Sequence, residues 1–465
     1  MKYFLRLAAL AFVPTLAMAA PEPAKVQGFS FVKTVGPISE FRLESNGLQV
    51  LLLPEHSSPT LTFMVTYRVG SRNEVTGTTG ATHLLEHLMF KGTPKFNDEK
   101  GNSVKQLLER VGGQYNASTW LDRTNYFATI GNENLESYMA VEADRMRNLS
   151  LRESDRKPEM TVVRNEFEIG ENEPAQALEK EIYAAAYVAH PYHHPTIGWR
   201  SDIENVPIEK LREFYNTFYW PDNSTVSIIG DFDPAKALEL VKKYYSAIPK
   251  APKPIPVVYT EEPEQTAPRR VAVKRAGELG VVAIAHKIPP ALHADQAAIK
   301  VLDVILTEGK NARFYRALTD KNLTTGVSGD PGFFHDASLY LLYANLAPNV
   351  THEQVEKIAI DEIERVKTEG VTDGEVSSAI AQILAAAAYG RDGSFAVASR
   401  LNEYIAVGDW SVYVTGEEAL KKVTAADVKR VATAYLTEEK RTTGWFIPAG
   451  PGDRNPAQES ELRNE

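Results

Sequence analysis

The five residues His83-Leu84-Leu85-Glu86-His87 restrict this chain more than any other stretch. On an α-helix, imidazoles four positions apart project from one side, about one turn apart along the axis. Neutral imidazoles are good zinc ligands, and a catalytic zinc takes three protein ligands plus a water. Glu86 lies on an adjacent part of that face, where it can take a proton from such a water. The order is reversed relative to the commoner His-Glu-x-x-His arrangement. A bare histidine pair at this spacing also occurs as surface or core decoration, so the rest of the chain must discriminate.

Residues 1–19 read as a secretory signal peptide. Lys2 and Arg6 precede an apolar run from Leu7 to Leu16, and Ala17-Met18-Ala19 is a small-x-small cleavage pattern. The expected location is therefore exported and periplasmic, with secretion as the other outcome. No later apolar run has the length of a membrane span. The chain contains no cysteine, so disulfides, thiol nucleophiles and thiolate metal sites are excluded. A tight metal site must use His, Asp or Glu. The formal charge of −10 argues against nucleic acid as a main partner. A length of 465 residues suits about two to four domains.

Residues 20–40 form a polar, proline-containing lead. Phe41 to Leu53, interrupted by Asn46-Gly47, reads as a β-hairpin. Leu61 to Val69 is a further strand, and a turn through Gly77 and Gly80 delivers the histidine helix into a cleft. That helix stops at Lys91-Gly92-Thr93-Pro94. A second helix, about 103–111, ends at Gly112-Gly113. The polar strand Gln114 to Thr119 makes poor core. It suits either a sheet edge that accepts a peptide by strand addition, through Asn116, Ala117, Ser118 and Thr119, or a merely exposed strand.

The third ligand must come from elsewhere. Residues 155–169 look helical, with Pro158 in the first turn. Glu159 and Glu166 are seven apart and share a face. One carboxylate could ligate a metal while the other orients a ligand from behind. The alternative is a solvated acidic face, since Glu168, Glu171 and Glu173 follow.

With those residues in view, the chain resembles the pitrilysin/insulinase family of zinc metallopeptidases, which carry the inverted His-x-x-Glu-His motif, and in particular its bacterial periplasmic members. The resemblance rests on His83 to His87 with Met89-Phe90-Lys91-Gly92-Thr93 after it and Gly70-Ser71-Arg72 before it. It continues in Gly112-Gly113, Asn116 to Thr119, Asp122, and His190-Pro191-Tyr192 with Ile197-Gly198, and spans roughly residues 40–450. It implies Glu166 as third ligand of one Zn2+ per chain, Glu159 as its upstream companion and Glu86 as the catalytic base. It also implies an α/β (α+β) fold of two similar α/β-roll halves, each a mostly antiparallel sheet packed with helices, closing as a clamshell.

The expected division is a catalytic half at 41–248, a Pro-rich linker at 249–270, a non-catalytic substrate-binding half at 271–450 and a disordered tail at 451–465. A weak internal echo agrees. Val206 to Tyr219 leads to a strand at 225–230, and Val423 to Leu436 leads to a strand at 442–447. The second half holds no second histidine–glutamate motif. The cluster His190, His193 and His194 could bind a metal, although the resemblance treats it as structural.

One departure matters. Relatives of this kind often carry an Arg and a Tyr in the second half that hold substrate. Thr319 and Thr325 occupy those positions here, and neither offers a strong donor. The sequence therefore points to a zinc-dependent endopeptidase acting on peptides or small unfolded proteins. It points further to a homo- or heterodimer, with a second copy or with a homologue lacking the zinc motif. The alternatives are a zinc-binding, weakly active subunit that needs a partner chain, and a metal carrier using the three later histidines.

Overall fold

The computed structural model describes residues 24–449. The signal peptide expected at 1–19 and the tail expected at 451–465 lie outside the described residues. Two sheets organise the chain. The first contains β1 (Phe29–Val35), β2 (Ile38–Leu43), β3 (Gln49–Pro54), β4 (Thr60–Tyr67), β5 (Gln114–Thr119), β6 (Thr124–Gly131) and β7 (Ser224–Gly230), in the order β1-β2-β3-β7-β4-β6-β5. The second contains β8 (Arg269–Ala276), β9 (Val281–Ile288), β10 (Thr324–Pro331), β11 (Ser338–Leu346) and β12 (Arg441–Ala449), in the order β10-β11-β9-β12-β8. No helix among the described residues is long and apolar enough to cross a membrane.

The internal echo is a repeat of topology. β3 runs parallel to β7, which is followed across the sheet by antiparallel β4, β6 and β5. β8 runs parallel to β12, followed by antiparallel β9, β11 and β10. The mixed α/β architecture of two helix-packed sheets is as expected. Residues 250–268 between the sheets carry no helix or strand, in keeping with their prolines. The stretch read as a lead differs from expectation, because β1 and the start of β2 fall inside it. β1 is an edge strand with no residue fully buried, although Phe29, Phe31, Val32 and Val35 give it the aromatic and β-branched content of a strand.

Each sheet packs one face on helices of its own half. The other face is covered by a helix from the opposite half. The helix Pro174–Ala186 packs Ala177, Leu178 and Ile182 against β8, β9 and β12. The helix Ser394–Ala406 returns the exchange, packing Val397, Leu401 and Ile405 against Ile38, Leu51, Met64 and Ile229. Each fully buried aliphatic side chain contributes roughly 1.5–3 kcal/mol, so the two halves stabilise each other.

A polar network pins the same boundary. Arg72 Nε donates to Asp336 Oδ2 at 2.6 Å, His190 Nε2 lies 3.0 Å from that oxygen, and His335 Nδ1 lies 2.9 Å from Oδ1. Burial pushes the Asp336 carboxyl up, but the bonds to His190 and His335 and the Arg72 charge prevail and hold it well below the usual range. A carboxyl depressed in the folded state adds stability that is complete above its unfolded pKa of about 3.9 and is lost as pH falls through the folded value. Asp336→Asn is therefore expected to destabilise the chain by about 1–3 kcal/mol at neutral pH. The gap should narrow below about pH 4, as read from denaturant midpoints of both proteins across pH. A constant gap down to pH 2 would contradict this account.

Candidate metal centre

The histidine motif is helical over Ala81–Leu88. Its start is built by backbone geometry and one buried acid. Gly80 precedes it with φ +84°, and a Cβ there would lie 2.4 Å from the Ile197 carbonyl oxygen, so only glycine fits. The Glu74 carboxylate accepts from the backbone N–H groups of Gly80 at 2.8 Å and Thr82 at 2.7 Å, satisfying donors that a helix N-terminus leaves open. Leu84, Leu85 and Leu88 are buried on the core side, which turns His83 and His87 toward the cleft.

The helix Glu153–Asn172 crosses this cleft. It begins five residues before Pro158, where the sequence suggested a start near that proline. Pro158 lies inside it and leaves the Ser154 carbonyl without its usual N–H partner. This helix carries Glu166 to the histidines. Glu166 Oε2 lies 3.6 Å from His83 Nε2 and 3.6 Å from His87 Nε2. Ligand atoms of the three residues all fall within 4.8 Å of one another, and among the described residues no other group of three or more His, Cys, Asp or Glu meets that condition.

This donor set fits zinc. Tetrahedral coordination with bonds of about 2.0–2.1 Å places ligand atoms about 3.3–3.4 Å apart, close to the 3.6 Å that separates Glu166 Oε2 from each imidazole Nε2. Burial, helped by His87, pushes the His83 imidazole down to about 3, so it stays neutral with a lone pair to offer. His87 Nδ1 lies 3.1 Å from Glu159 Oε2, which places the ring proton on Nδ1 and leaves Nε2 to face Glu166. Burial pushes the Glu159 carboxyl up, but hydrogen bonds from Lys91 and His87 outweigh it and hold the carboxyl below its ordinary value. Glu159→Gln is expected to weaken zinc affinity about 10–100-fold, measured by competition with a chromogenic chelator. Unchanged affinity would remove Glu159 from its positioning role.

Glu86 is only 8 % exposed. Thr119 Oγ1 donates to its Oε2 at 2.6 Å, and Oε1 takes no hydrogen bond from another described residue. Burial raises the carboxyl above its ordinary value, opposed by Thr119, His87 and Arg123. Asn116, Ala117, Ser118 and Thr119 lie on β5, the edge of the first sheet, and border a cavity of about 500 Å³ together with His83, Glu86, His87, Glu159 and Glu166. The Glu166 side chain is 42 % exposed, so the cluster opens into this space.

The other expected residues fall elsewhere. His190 faces Asp336, His193 Nδ1 lies 3.1 Å from the His190 carbonyl and His194 Nδ1 lies 3.2 Å from the Pro195 carbonyl. The three are engaged separately and do not converge as ligands. Thr319 pairs with Thr324 at 2.9 Å, and neither Thr319 nor Thr325 borders the cavities beside the cluster. Two supporting contacts go beyond what the sequence suggests for these residues. Lys91 was signalled by its position four residues after His87 on one helical face. The Thr119–Glu86 bond joins remote segments and has no local signature.

Comparison with known proteins gives a consistent picture. Residues 49–199 match the model described as insulinase, peptidase family M16, and residues 205–383 match the model described as peptidase M16 inactive domain. The zinc protease PqqE of Helicobacter pylori is 32% identical over 408 residues, covering 87% of this chain and 91% of that protein. The crystal structure of a protease from Helicobacter pylori superposes with TM-score 0.83 at 31% identity, over 90% of this chain and 99% of that one. The periplasmic protease PqqL of Escherichia coli shares the fold, with TM-score 0.73 at 17% identity, over 94% of this chain and 51% of that one.

Proposed function

The chain belongs to the pitrilysin/insulinase family of M16 peptidases, and from that premise we propose that it is a zinc-dependent endopeptidase acting on peptides or small unfolded proteins. The observation that carries the reading is the convergence of His83, His87 and Glu166 on one point, with Glu86 beside it on the same helix. Zinc held there would polarise a water and a peptide carbonyl at neutral pH. The chain's own groups do the rest. An extended peptide adds to the open edge of β5, so that main-chain hydrogen bonds fix it beside Asn116–Thr119. Thr119 holds one oxygen of Glu86, leaving Oε1 to accept a proton from the attacking water and return it to the leaving amine. Glu159, anchored by Lys91, keeps the His87 ring in register.

The protein would be exported to the periplasm and act as a dimer, with a second copy or with a homologue lacking the zinc motif. Thr319 and Thr325 supply no strong donor to substrate, and this chain spans about half of PqqL. Both facts support a second unit completing the substrate site. A chain on its own would then bind zinc and cleave weakly. The experiment is zinc analysis of the purified protein and digestion of a mixed peptide library, with and without chelator, on size-separated monomer and dimer. We expect one zinc per chain and cleavage lost to chelator and concentrated in the dimer. Cleavage that survives complete zinc removal would sink the proposal, and full activity in a strict monomer would remove the partner.

A further inference from the structure

A cavity of about 780 Å³ lies in the second half and shares no lining residue with the cavities beside the metal cluster. The helices Gln296–Thr307, Asp373–Tyr389, Ser394–Ala406 and Val412–Leu420 contribute its walls. Three polar groups on those walls lack a partner. Lys300, Arg400 and the Tyr404 hydroxyl make no hydrogen bond or ion pair to another described residue. Lys300 Nζ sits 4.5 Å from the centre of the Phe333 ring, which in turn lies 4.9 Å from the ring of Tyr404. Arg400 and Tyr404 are one turn apart on one helical face. The Arg400 guanidinium lies against Gly390, where a Cβ would fall 2.2 Å from its central carbon. Burial pulls the Lys300 ammonium down to about 8, and the Arg400 charge adds to the fall.

The other charges around this space are already satisfied. Arg391 pairs with Glu417. Asp303 Oδ1 accepts from the Tyr340 hydroxyl at 2.9 Å and from Thr307 Oγ1 at 3.1 Å, and Glu308 is exposed, where water screens it. Lys300 and Arg400 are left without a counter-ion, beside the apolar side chains of Leu292, Ile383 and Leu420. Withdrawing a cation from water without a partner is costly, and a bound anion offsets that cost. From these two cations and one phenol around an apolar space, we propose that the cavity binds a carboxylate carried on an apolar or aromatic body. The carboxylate accepts from Lys300, Arg400 and Tyr404, while the body fills the space beside Phe333 and Ile383. A single negative charge fits better than a polyphosphate, because Asp303, Glu308 and Glu417 border the same cavity and repel a larger one. The volume is ordinary for a small-molecule site. The carboxylate belongs either to a free organic acid or to the C-terminal residue of a peptide. Bound there, it ties the helix Gln296–Thr307 to the helix Ser394–Ala406, which covers the first sheet.

The test is isothermal titration of the purified protein with 3-phenylpropionate, and with its neutral amide as control. The acid is expected to bind at least about tenfold more tightly than the amide. A pentapeptide ending in phenylalanine, with a free or an amidated C-terminus, is titrated in the same way against Glu86→Gln, so that it is not cut. The source is the acid that shows the larger preference over its own amide. Lys300→Met keeps the apolar stem of the lysine, and Arg400→Gln removes the second charge. Each is expected to weaken acid binding about 10–100-fold with zinc content unchanged. Saturating acid should also raise the melting temperature of the parent more than that of either variant. Equal affinity for acid and amide, or no acid binding tighter than about 1 mM, overturns the site. So does unchanged affinity in both variants. Acid binding that is lost to chelator but kept in Lys300→Met places the acid on the metal cluster and overturns it too. If Lys300→Met does not fold, the parent's acid–amide comparison and Arg400→Gln decide.

Discussion

Glu86→Gln is expected to lower kcat by about 10²–10⁴-fold while zinc content stays at one per chain. The amide keeps the size of the carboxylate, and its oxygen can still accept from Thr119 Oγ1, now 2.6 Å from Oε2. What it loses is the basic oxygen that takes the proton. Glu86 is no metal ligand in this arrangement, since the converging atoms belong to His83, His87 and Glu166. Zinc analysis and steady-state kinetics on one preparation check both halves of the statement. Loss of zinc together with activity would move Glu86 into the ligand set, and full activity would end the mechanism.

Glu166→Ala is expected to have a comparable effect on activity by a different route, through loss of the metal. Glu166 Oε2 is 3.6 Å from both imidazole Nε2 atoms. Without it two imidazole nitrogens remain, one short of the three protein ligands of a catalytic zinc. Zinc per chain should fall close to zero after dialysis, and kcat with it. A bound metal stabilises the state that binds it, by RT ln(1 + [L]/Kd). Added zinc should therefore raise the melting temperature of the parent protein and leave that of Glu166→Ala unchanged. Retained zinc in the variant would show that another group supplies the third ligand. The contrast between the two variants, zinc kept in one and lost in the other, distinguishes base from ligand.

The motif was legible for a local reason. His83 and His87 are one helical turn apart, so their shared face follows from the period of the helix, and the Gly–Pro stop after them is equally local. The hairpin around Asn46-Gly47 and the strand Leu61 to Val69 were legible in the same way. The helix carrying Glu166 starts earlier than the proline suggests, because Pro158 and Ser154 are both exposed and water can satisfy the carbonyl that the proline leaves unpaired. β1 lies in a stretch whose prolines and polar residues suggest a lead, yet Phe29, Phe31, Val32 and Val35 carry a strand signal there. Thr119 was read only as a peptide-binding position, although its hydroxyl also holds Glu86, thirty-three residues away in the chain.

The sequence by itself determined the donor types, the spacing of the two histidines and the glutamate beside them, and, through resemblance, pointed to Glu166 as the candidate third ligand. It also established that no thiol takes part. Only the tertiary structure decided that Glu159 reaches His87 through a helix laid across the cleft, and that the later histidines go to separate partners. It alone showed that each half lends a helix to the other's sheet. Periodicity reports which face of an element is buried, but not what covers it. The covering surface is chosen by the packing of segments far apart in the chain, where apolar contact carries no directional label.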